Sequence, residues 1–472
     1  MVFELHHLTA QEQWDWLQRG ETTPSELAAH YLDRIDRLDS GLGAFITVTR
    51  SEALRRAVEL EGAGRTTAPL WGLPLGDKDL WRRAGVRTTM GSRLFQDFVP
   101  DESDEIVKVV DAAGSVSLGK TNAPEFGMPS YTETLVAPPA RTPYDPRLGA
   151  GGSSGGAAVA VAAGLLPVAV GSDGGGSIRI PAAATGLVGL KPSRGRIPAG
   201  AGLASPGGLV VPGPITRTVA DAAMVLDALV AGGTYEFATG APTWDGGAFL
   251  NSAARGEGRF QIGVMTTSPW DHAYDITVST DAAEALARAV SDLSALGHGI
   301  EDFALEPDDT YAGAFRTVWQ SGAAGIPAEG GQLDLLEPLT RWLVEEGRRL
   351  SARDLQKALV ELSLFERSVI RQFSTFDAVL TPTLALTPRP IGWYDQEDPE
   401  RNFAQQVQYT PWTSFVNVSG LPAISLPVHV TPEGMPMGVQ LIGRPGREDV
   451  LLAIGAQLER RLEWQRRHPP QW

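Results

Sequence analysis

The chain alternates between segments with the apolar spacing of helices and short segments typical of strands. In RTVADAAMVLDALVAG (217–232) the apolar positions form one face of a helix. Helices are also predicted after the start signal at 23–26 and over EDVLLAIGAQLERRL (448–462). Apolar runs between turn residues predict strands at 44–48, 70–80, 115–119, 260–266, 377–385, 420–428 and 437–443. This alternation indicates a layered α/β fold.

Two stretches, 233–258 and 300–345, show the least regular pattern of apolar residues. Irregular connecting segments carry binding residues more often than the elements that they join. We therefore expect these stretches to be insertions that face the substrate.

Composition narrows the function classes. The 472 residues carry a net charge of -16, which argues against binding to nucleic acids or anionic membranes. The longest apolar run, 157–170, is shorter than the roughly 20 residues of a membrane helix. The N-terminus lacks the basic start and apolar core of a secretory signal, so we expect a cytoplasmic location. The absence of cysteine excludes disulfides, thiol nucleophiles and thiolate metal sites.

One motif matches the phosphate-binding P-loop letter for letter. Residues 114–121 read G-S-V-S-L-G-K-T, the pattern G-x-x-x-x-G-K-[ST]. A P-loop joins a strand to a following helix, whereas here a predicted helix precedes the motif and Pro124 follows it. A helix end followed by a strand is the better interpretation, and nucleotide binding is the weaker alternative.

Two glycine-rich segments suggest nucleophilic catalysis. G-G-S-S-G-G (151–156) runs directly into the apolar helix, which a flexible linker would not do. In G-S-D-G-G-G-S-I-R-I-P-A (171–182), Gly174, Gly175 and Gly176 lead to Ser177. Successive glycines let backbone amides converge on one point, the geometry of an oxyanion hole. Ser177 is therefore a candidate nucleophile, and a structural turn with an incidental serine is the alternative.

A serine nucleophile needs a base. The chain has seven histidines, none beside a glycine motif, and His6, His7 and His468 lie near the termini, where side chains are usually solvated. No H-E-x-x-H spacing supports a metal site. Lys78 lies in a strand that is predicted to be buried, and burial lowers the pKa of a lysine toward the range of a base. A lysine paired with Asp77 or Asp79 is the alternative, although both carboxylates would point to the opposite face of the strand.

Taken together, G-L-P-L-G-D-K-D-L, G-G-S-S-G-G and G-S-D-G-G-G-S-I-R-I-P-A resemble the motifs of the amidase signature family. The resemblance covers most of residues 20–232 and 375–460. It implies a single large α/β domain over 1–472, with a mixed central β-sheet sandwiched by helices. The core of that domain would lie at about 65–232 and 375–460, and a variable, substrate-facing insertion at about 233–374.

The family's Ser-cisSer-Lys triad maps onto Ser177, Ser153 and Lys78, and Ser177 lies 24 positions after Ser153. The resemblance implies that Ser177 attacks an amide carbonyl while Lys78 and Ser153 relay its proton. The amides of Gly174, Gly175 and Gly176 would bind the oxyanion. Ser154, Ser172 and Asp173 would hold the loops together, and Arg179 would be a structural ion-pair partner. No cofactor or metal is implied.

Substrate choice is less defined. The loop 128–145 and Asp77 depart from the family's usual pattern, and Met128 and Tyr131 are candidate substrate-binding residues. Trp319 and Trp412 are candidates for an apolar pocket, with simple packing as the alternative. The first expectation is a hydrolase of small-molecule amides, including anilides, and of related carbamates or esters, acting as a monomer or homodimer. The second is the glutamine-hydrolysing subunit of a tRNA amidotransferase.

Overall fold

The computed structural model of the protein describes residues 4–198, 206–233, 239–470 and 472. Residues 199–205 of the predicted core, 234–238 of the predicted insertion and 1–3 of the N-terminal segment lie outside this range. Among the described residues, no helix combines the length and the apolar character that a membrane span requires.

The strands form two mixed sheets. The smaller sheet has the order β1-β3-β2, with β1 Phe45–Val48, β2 Pro74–Lys78 and β3 Val116–Thr121. Strands β4 to β11 form the larger sheet, in the order β4-β6-β5-β10-β11-β9-β7-β8. Their bounds are β4 Val168–Asp173, β5 Val188–Lys191, β6 Val211–Thr216, β7 Gln261–Met265, β8 Gly299–Phe303, β9 Ala378–Pro382, β10 Ala423–Val430 and β11 Pro436–Gly443.

Fifteen α-helices connect and cover these strands in the described part of the chain. They are α1 Ala10–Arg19, α2 Pro24–Leu38, α3 Arg50–Ala63, α4 Glu105–Ala112, α5 Gly155–Ala162, α6 Arg179–Ala184, α7 Val219–Ala231, α8 Phe249–Arg255, α9 Thr280–Ala295, α10 Tyr311–Ala324, α11 Pro338–Arg349, α12 Ala352–Phe373, α13 Pro399–Tyr409, α14 Ser414–Val418 and α15 Glu448–Leu462.

Strands β4 to β6 and β9 to β11 of the larger sheet are buried on both faces over most of their length. Neighbouring residues of a strand point to opposite faces, and in β10 Ala423 and Ile424 accordingly belong to different apolar clusters. One cluster includes the buried faces of α5, α7, α9 and α15, and the other includes those of α10, α12 and α14. This arrangement confirms the predicted α/β fold with a mixed sheet between helices.

Most predicted elements lie where the sequence pattern placed them. Thr23 and Glu26 form a capping box at the start of α2, and the predicted strand pair at 420–428 and 437–443 is the antiparallel pair of β10 and β11. The stretch 300–345, whose apolar pattern is among the least regular, contains α10 and most of α11. Burial of Phe315 and Leu343, which lie in these two helices, stabilises them.

Helix α5 packs without room for an added side chain at Gly156. A Cβ there would lie 2.3 Å from the Asn122 backbone nitrogen and 2.4 Å from the Ala44 carbonyl oxygen. We expect Gly156→Ala to lower the free energy of unfolding by about 1–3 kcal/mol or more, because backbone must shift to admit the methyl group. Urea unfolding measures this loss. The control is Gly62→Ala in α3, where a Cβ meets no atom within 4 Å; an equal loss in both variants would contradict the packing argument.

Candidate active site

Lys78 is the last residue of β2 and is completely buried. Its Nζ lies 2.8 Å from Ser153 Oγ, 2.8 Å from Ser154 Oγ and 3.0 Å from Ser172 Oγ. Burial lowers the pKa of Lys78 to about 7, and the negative charge of Asp173 only partly opposes this shift. A substantial fraction of Lys78 is therefore neutral near pH 7 and can accept a proton.

The two aspartates beside Lys78 have partners of their own. Arg83 and Ser117 donate to the Asp77 carboxylate, while the backbone N–H and hydroxyl of Thr89 donate to Asp79. Burial alone raises the pKa of Asp77, but the attraction of Arg83 outweighs it, so that the pKa lies below its usual value. Neither carboxylate is hydrogen-bonded to Lys78, as expected for side chains on the opposite face of the strand.

Ser153 and Ser154 lie in the loop that leads into α5. The peptide bond between Gly152 and Ser153 is cis, as the resemblance implies for this serine. Ser154 Oγ also lies 3.3 Å from the Ser172 carbonyl oxygen, and its backbone N–H donates to the Ser177 carbonyl. Ser154 and Ser172 thus tie the loop to β4, as predicted for them.

Ser177 lies in the turn between β4 and α6. Asp173, the last residue of β4, accepts hydrogen bonds from the backbone N–H groups of Gly176 (2.8 Å) and Ile178 (3.1 Å). These bonds fold the turn around the carboxylate. In the described part of the chain the amides of Gly174, Gly175 and Ser177 have no protein acceptor.

The glycine prediction therefore needs a correction at one position. Gly176 was expected to donate to an oxyanion, but its N–H is already bonded to Asp173. Its φ is +131°, and a Cβ on this residue would lie only 2.5 Å from Thr413 Oγ1, which explains why glycine is required there. Gly174 and Gly175, with the Ser177 amide, remain as candidate oxyanion donors.

Arg179 is the ion-pair partner of Asp173, as expected. The two side chains are fully buried and 2.8 Å apart, and Arg179 also donates to Gln440 and Asn417. Burial raises the pKa of Asp173, but Arg179 and the other donors lower it more, and the net pKa lies well below the usual range. The carboxylate therefore stays charged at neutral pH.

Two cavities meet at Ser177, and Met128 and Trp319 line both. The narrow cavity has a volume of about 60 Å³, and its walls include Gly175, Trp270, Phe315, Phe403, Gln406 and Ser414. The wide cavity has a volume of about 210 Å³, and its walls include Leu80, Phe126, Ser153, Ser172, Gly174, Val210, Val318 and Gly322. Because Ser153 lines only the wide cavity, the two sides of Ser177 are chemically different.

Of the four residues predicted for the pocket, two line it and two do not. Met128 and Trp319 lie in its walls, whereas Tyr131 and Trp412 are buried and line neither cavity. Tyr131 stacks on Tyr394, and its hydroxyl accepts from Asn402 Nδ2 at 2.8 Å. Tyr131 therefore supports the loop that carries Met128 instead of contacting a substrate in these cavities.

The segment 114–121, which matches the P-loop pattern, does not form a phosphate-binding loop. Helix α4 precedes it, and Lys120 lies buried in β3, where its Nζ donates to the Trp81 carbonyl and to Thr88. The buried side chain of Lys120 is therefore not accessible to a phosphate group. The interpretation as a helix end followed by a strand is confirmed.

None of the seven histidines, all of which are described, lines either cavity. His6 is buried against His30, so that the solvation expected for it at the chain terminus is wrong. Among the described residues, Glu4, His6 and His30 are a group whose ligand atoms approach within 4.8 Å. Arg34 lies 3.9 Å from Glu4 and places a positive charge beside that group.

A pair of buried glutamates beside the cavity walls was not foreseen. Glu337 donates its backbone N–H to Glu125 (2.8 Å), and its carboxylate accepts from the Leu135 N–H (3.0 Å). Burial and the neighbouring Glu125 raise the pKa of Glu337 to about 8. The hydrogen bond from Leu135 fastens the start of α11 to the loop 128–145. No local pattern could reveal the contact between Glu125 and Glu337, because 212 residues separate them.

Comparison with known proteins shows which family the chain is similar to. The family model described as Amidase matches residues 26–452. The protein named AmiB2 of Mycobacterium tuberculosis is 38% identical and is aligned over 98% of this chain and 97% of its own. A glutamyl-tRNA(Gln) amidotransferase subunit of Moorella thermoacetica is 34% identical, with 99% of both chains covered.

Among solved structures, 6-aminohexanoate cyclic dimer hydrolase in complex with its substrate superposes with a TM-score of 0.91 and 30% identity, covering 99% of this chain and 100% of that one. The chain belongs to the amidase signature family. It is an amidase, a hydrolase that acts on the C–N bond of amides.

The glutamate pair predicts a pH-dependent stability. The folded-state pKa of Glu337 lies above its unfolded value of 4.5, so its stabilising contribution is complete below pH 4.5 and is lost as the pH rises through about 8. Glu337→Gln keeps an acceptor for Leu135 without the charge. We expect the stability of this variant relative to wild type to increase from about pH 5 to about pH 8 by at least about 1.4 kcal/mol, the equivalent of one pKa unit.

Urea unfolding at the two pH values measures the difference. Glu52→Gln, at an exposed position of α3, controls for the loss of a carboxylate alone. A stability difference between Glu337→Gln and wild type that does not change with pH would contradict the assigned cause.

Proposed function

We propose that this amidase works through an acyl-enzyme on Ser177, with Ser153 and Lys78 as its proton relay. The observation that carries the proposal is the 2.8 Å contact between Ser153 Oγ and the buried Nζ of Lys78. Ser153 and Ser177 both line the wide cavity. The relay uses side chains and amides of this chain alone and needs no cofactor or metal.

In the first half-reaction, neutral Lys78 takes the proton of Ser153 while Ser153 takes that of Ser177. The Ser177 oxygen bonds to the carbonyl carbon, and the carbonyl oxygen gains the negative charge. Hydrogen bonds from the Gly174, Gly175 and Ser177 amides stabilise this charge, a contribution commonly worth about 3–4 kcal/mol for one donor. The C–N bond then breaks, and the nitrogen takes the proton that Lys78 returns through Ser153.

In the second half-reaction, water replaces the amine that has left. The relay removes a proton from the water as its oxygen attacks the acyl carbon, and the same amides stabilise the second oxyanion. Collapse of this intermediate breaks the bond to Ser177, returns a proton to its oxygen and releases the carboxylic acid. The net reaction consumes one amide and one water.

Small-molecule amides, including anilides, and related carbamates or esters are the substrates that suit this scheme. No ionisable side chain lines either cavity among the described residues, and uncharged substrates leave no buried charge without a partner. The cytoplasmic location and the state of monomer or homodimer stay predictions.

The second candidate is a glutamine-hydrolysing subunit of a tRNA amidotransferase, which the 34% identity to one such chain supports. Glutamine brings an ammonium and a carboxylate group, and both would need partners in the cavities. Glutaminase activity of the isolated chain, with ammonia transfer when partner chains are added, would favour this candidate. Hydrolysis of simple amides without glutaminase activity would favour the first.

Ser177→Ala removes the proposed nucleophile. We expect kcat to fall by at least about 10³-fold, because the acyl-enzyme can no longer form. Hydrolysis of a panel of amides, anilides, carbamates and esters measures the loss, and Ser51→Ala on the exposed face of α3 is the control. Activity retained by Ser177→Ala on the whole panel would refute the assignment.

Lys78 determines the expected pH dependence. Since the pKa of Lys78 is lowered to about 7, the fraction of neutral base falls about tenfold per pH unit below that value, and kcat/KM of the wild type should follow. Lys78→Ala should lose about 10²–10⁴-fold in rate, and its residual activity should lack this acid limb. The control is Lys108→Ala, which removes an exposed lysine of α4. An unchanged pH profile in Lys78→Ala would rule out the role as base.

A further inference from the structure

The two cavities at Ser177 differ in the size of group that they hold. A cavity of about 150 Å³ lined by apolar side chains binds benzene. The wide cavity, at about 210 Å³, exceeds this volume, whereas the narrow cavity, at about 60 Å³, is far below it. An aromatic ring therefore fits the wide cavity, and only a short chain fits the narrow one.

The proton relay determines which half of the substrate occupies which cavity. The leaving nitrogen must lie within hydrogen-bond reach of the group that protonates it. Under the proposed function this group is Ser153, which lines the wide cavity and not the narrow one. The amine half of the amide consequently extends into the wide cavity, and the acyl half extends into the narrow one.

Two of the polar side chains in the narrow cavity, those of Gln406 and Ser414, are already bonded within the protein. Gln406 accepts from the Ser130 N–H (2.7 Å) and donates to Asn402 (2.8 Å). Ser414 Oγ accepts from Trp270 Nε1 (3.0 Å) and lies 2.7 Å from the Tyr311 hydroxyl. These side chains have little capacity left for a polar acyl group, and breaking their bonds would be costly.

The wide cavity offers no partner for a charge. Its described lining residues carry no ionisable side chain. Phe126 and Trp319 provide aromatic surface for a ring. An uncharged aromatic group on the amine suits these walls.

We infer that the enzyme hydrolyses amides that join a short, uncharged acyl group to an amine bearing an uncharged aromatic ring. The inference rests on the proposed function and names its substrate class. The ring-bearing amine lies in the wide cavity beside Ser153 and leaves from there. One amide and one water give a short-chain carboxylic acid and an amine that bears the aromatic ring.

Two isomeric substrates test this orientation. N-benzylacetamide carries its ring on the amine, whereas N-methyl-2-phenylacetamide carries it on the acyl group, and both release an alkylamine. We expect kcat/KM of the wild type to be at least about tenfold higher for N-benzylacetamide, the minimum penalty for an extra group that a pocket cannot hold. Equal values or the opposite preference would overturn the inference.

A second comparison places the ring by mutation. Gly322 of α10 lines the wide cavity, and a Cβ there meets no atom within 4 Å, so a leucine side chain can extend into the space. Gly322→Leu should lower kcat/KM for N-benzylacetamide by about tenfold or more. Acetamide, which has no group on its nitrogen, should lose much less than N-benzylacetamide does.

Gly313→Leu is the matched control. Gly313 lies in the same helix, is exposed, has equal room for a Cβ and lines neither cavity. Both substitutions favour the helix, so the fold should be retained. A loss for N-benzylacetamide that is the same in both variants, or a loss in Gly322→Leu that is equal for acetamide, would place the ring elsewhere and overturn the inference.

The charge requirement has its own substrate. N-(4-carboxybenzyl)acetamide puts a carboxylate on the ring, and its kcat/KM should be at least about tenfold below that of N-benzylacetamide because the anion has no buried partner. Equal values would overturn this part of the inference.

Failure of the proposed function gives a different result. If no substrate, acetamide included, is hydrolysed in a way that depends on Ser177, the proposed function is wrong and the inference falls with it. Ser177-dependent hydrolysis with the ring preferred on the acyl side leaves the proposed function standing and overturns only the inference.

Discussion

The fully buried carboxylate of Asp173 organises the site. It accepts the amides of Gly176 and Ile178, pairs with Arg179 and is held by Asn417, so the turn that presents Ser177 is folded around one fixed negative charge. The same charge is the main attraction that Lys78 feels, and burial still lowers the pKa of Lys78 to about 7. Removing one partner of such a pair commonly costs about 3–5 kcal/mol, since the other charge stays buried alone.

Local chemistry explains what the sequence could predict. Strand and helix positions follow from apolar spacing and end signals, as in the capping box of Thr23 and Glu26. The reversed order of helix and strand argued against a P-loop at 114–121, and the buried position of Lys120 in β3 agrees with that. Lys78, Ser153 and Ser177 could be proposed together because the three motifs that contain them resemble, in order and spacing, those of the amidase signature family. The Ser177 and Lys78 variants test the catalytic roles proposed for these residues.

The parts that were missed depend on contacts between distant segments. The Gly176 amide is taken by a carboxylate whose orientation Arg179 and Asn417 decide, and glycine spacing contains no information about that competition. Tyr131 was placed in the pocket by its residue type, but its hydroxyl is bonded to Asn402, 271 residues away. Glu125 and Glu337 meet across 212 residues. Such pairs follow from tertiary packing, which overrides local preference.

The division of the strands into two sheets affects how mutations can act on this enzyme. Lys78 ends a strand of the smaller sheet, whereas Ser172 lies in β4 of the larger sheet, and hydrogen bonds at Lys78 Nζ join the two. The side-chain nitrogen that joins the two sheets is therefore the same atom that we propose as the base. Under the proposed relay, a mutation that weakens the packing between the two sheets also displaces the base. Selection would therefore act on such a mutation through its effect on turnover, well before the chain unfolds.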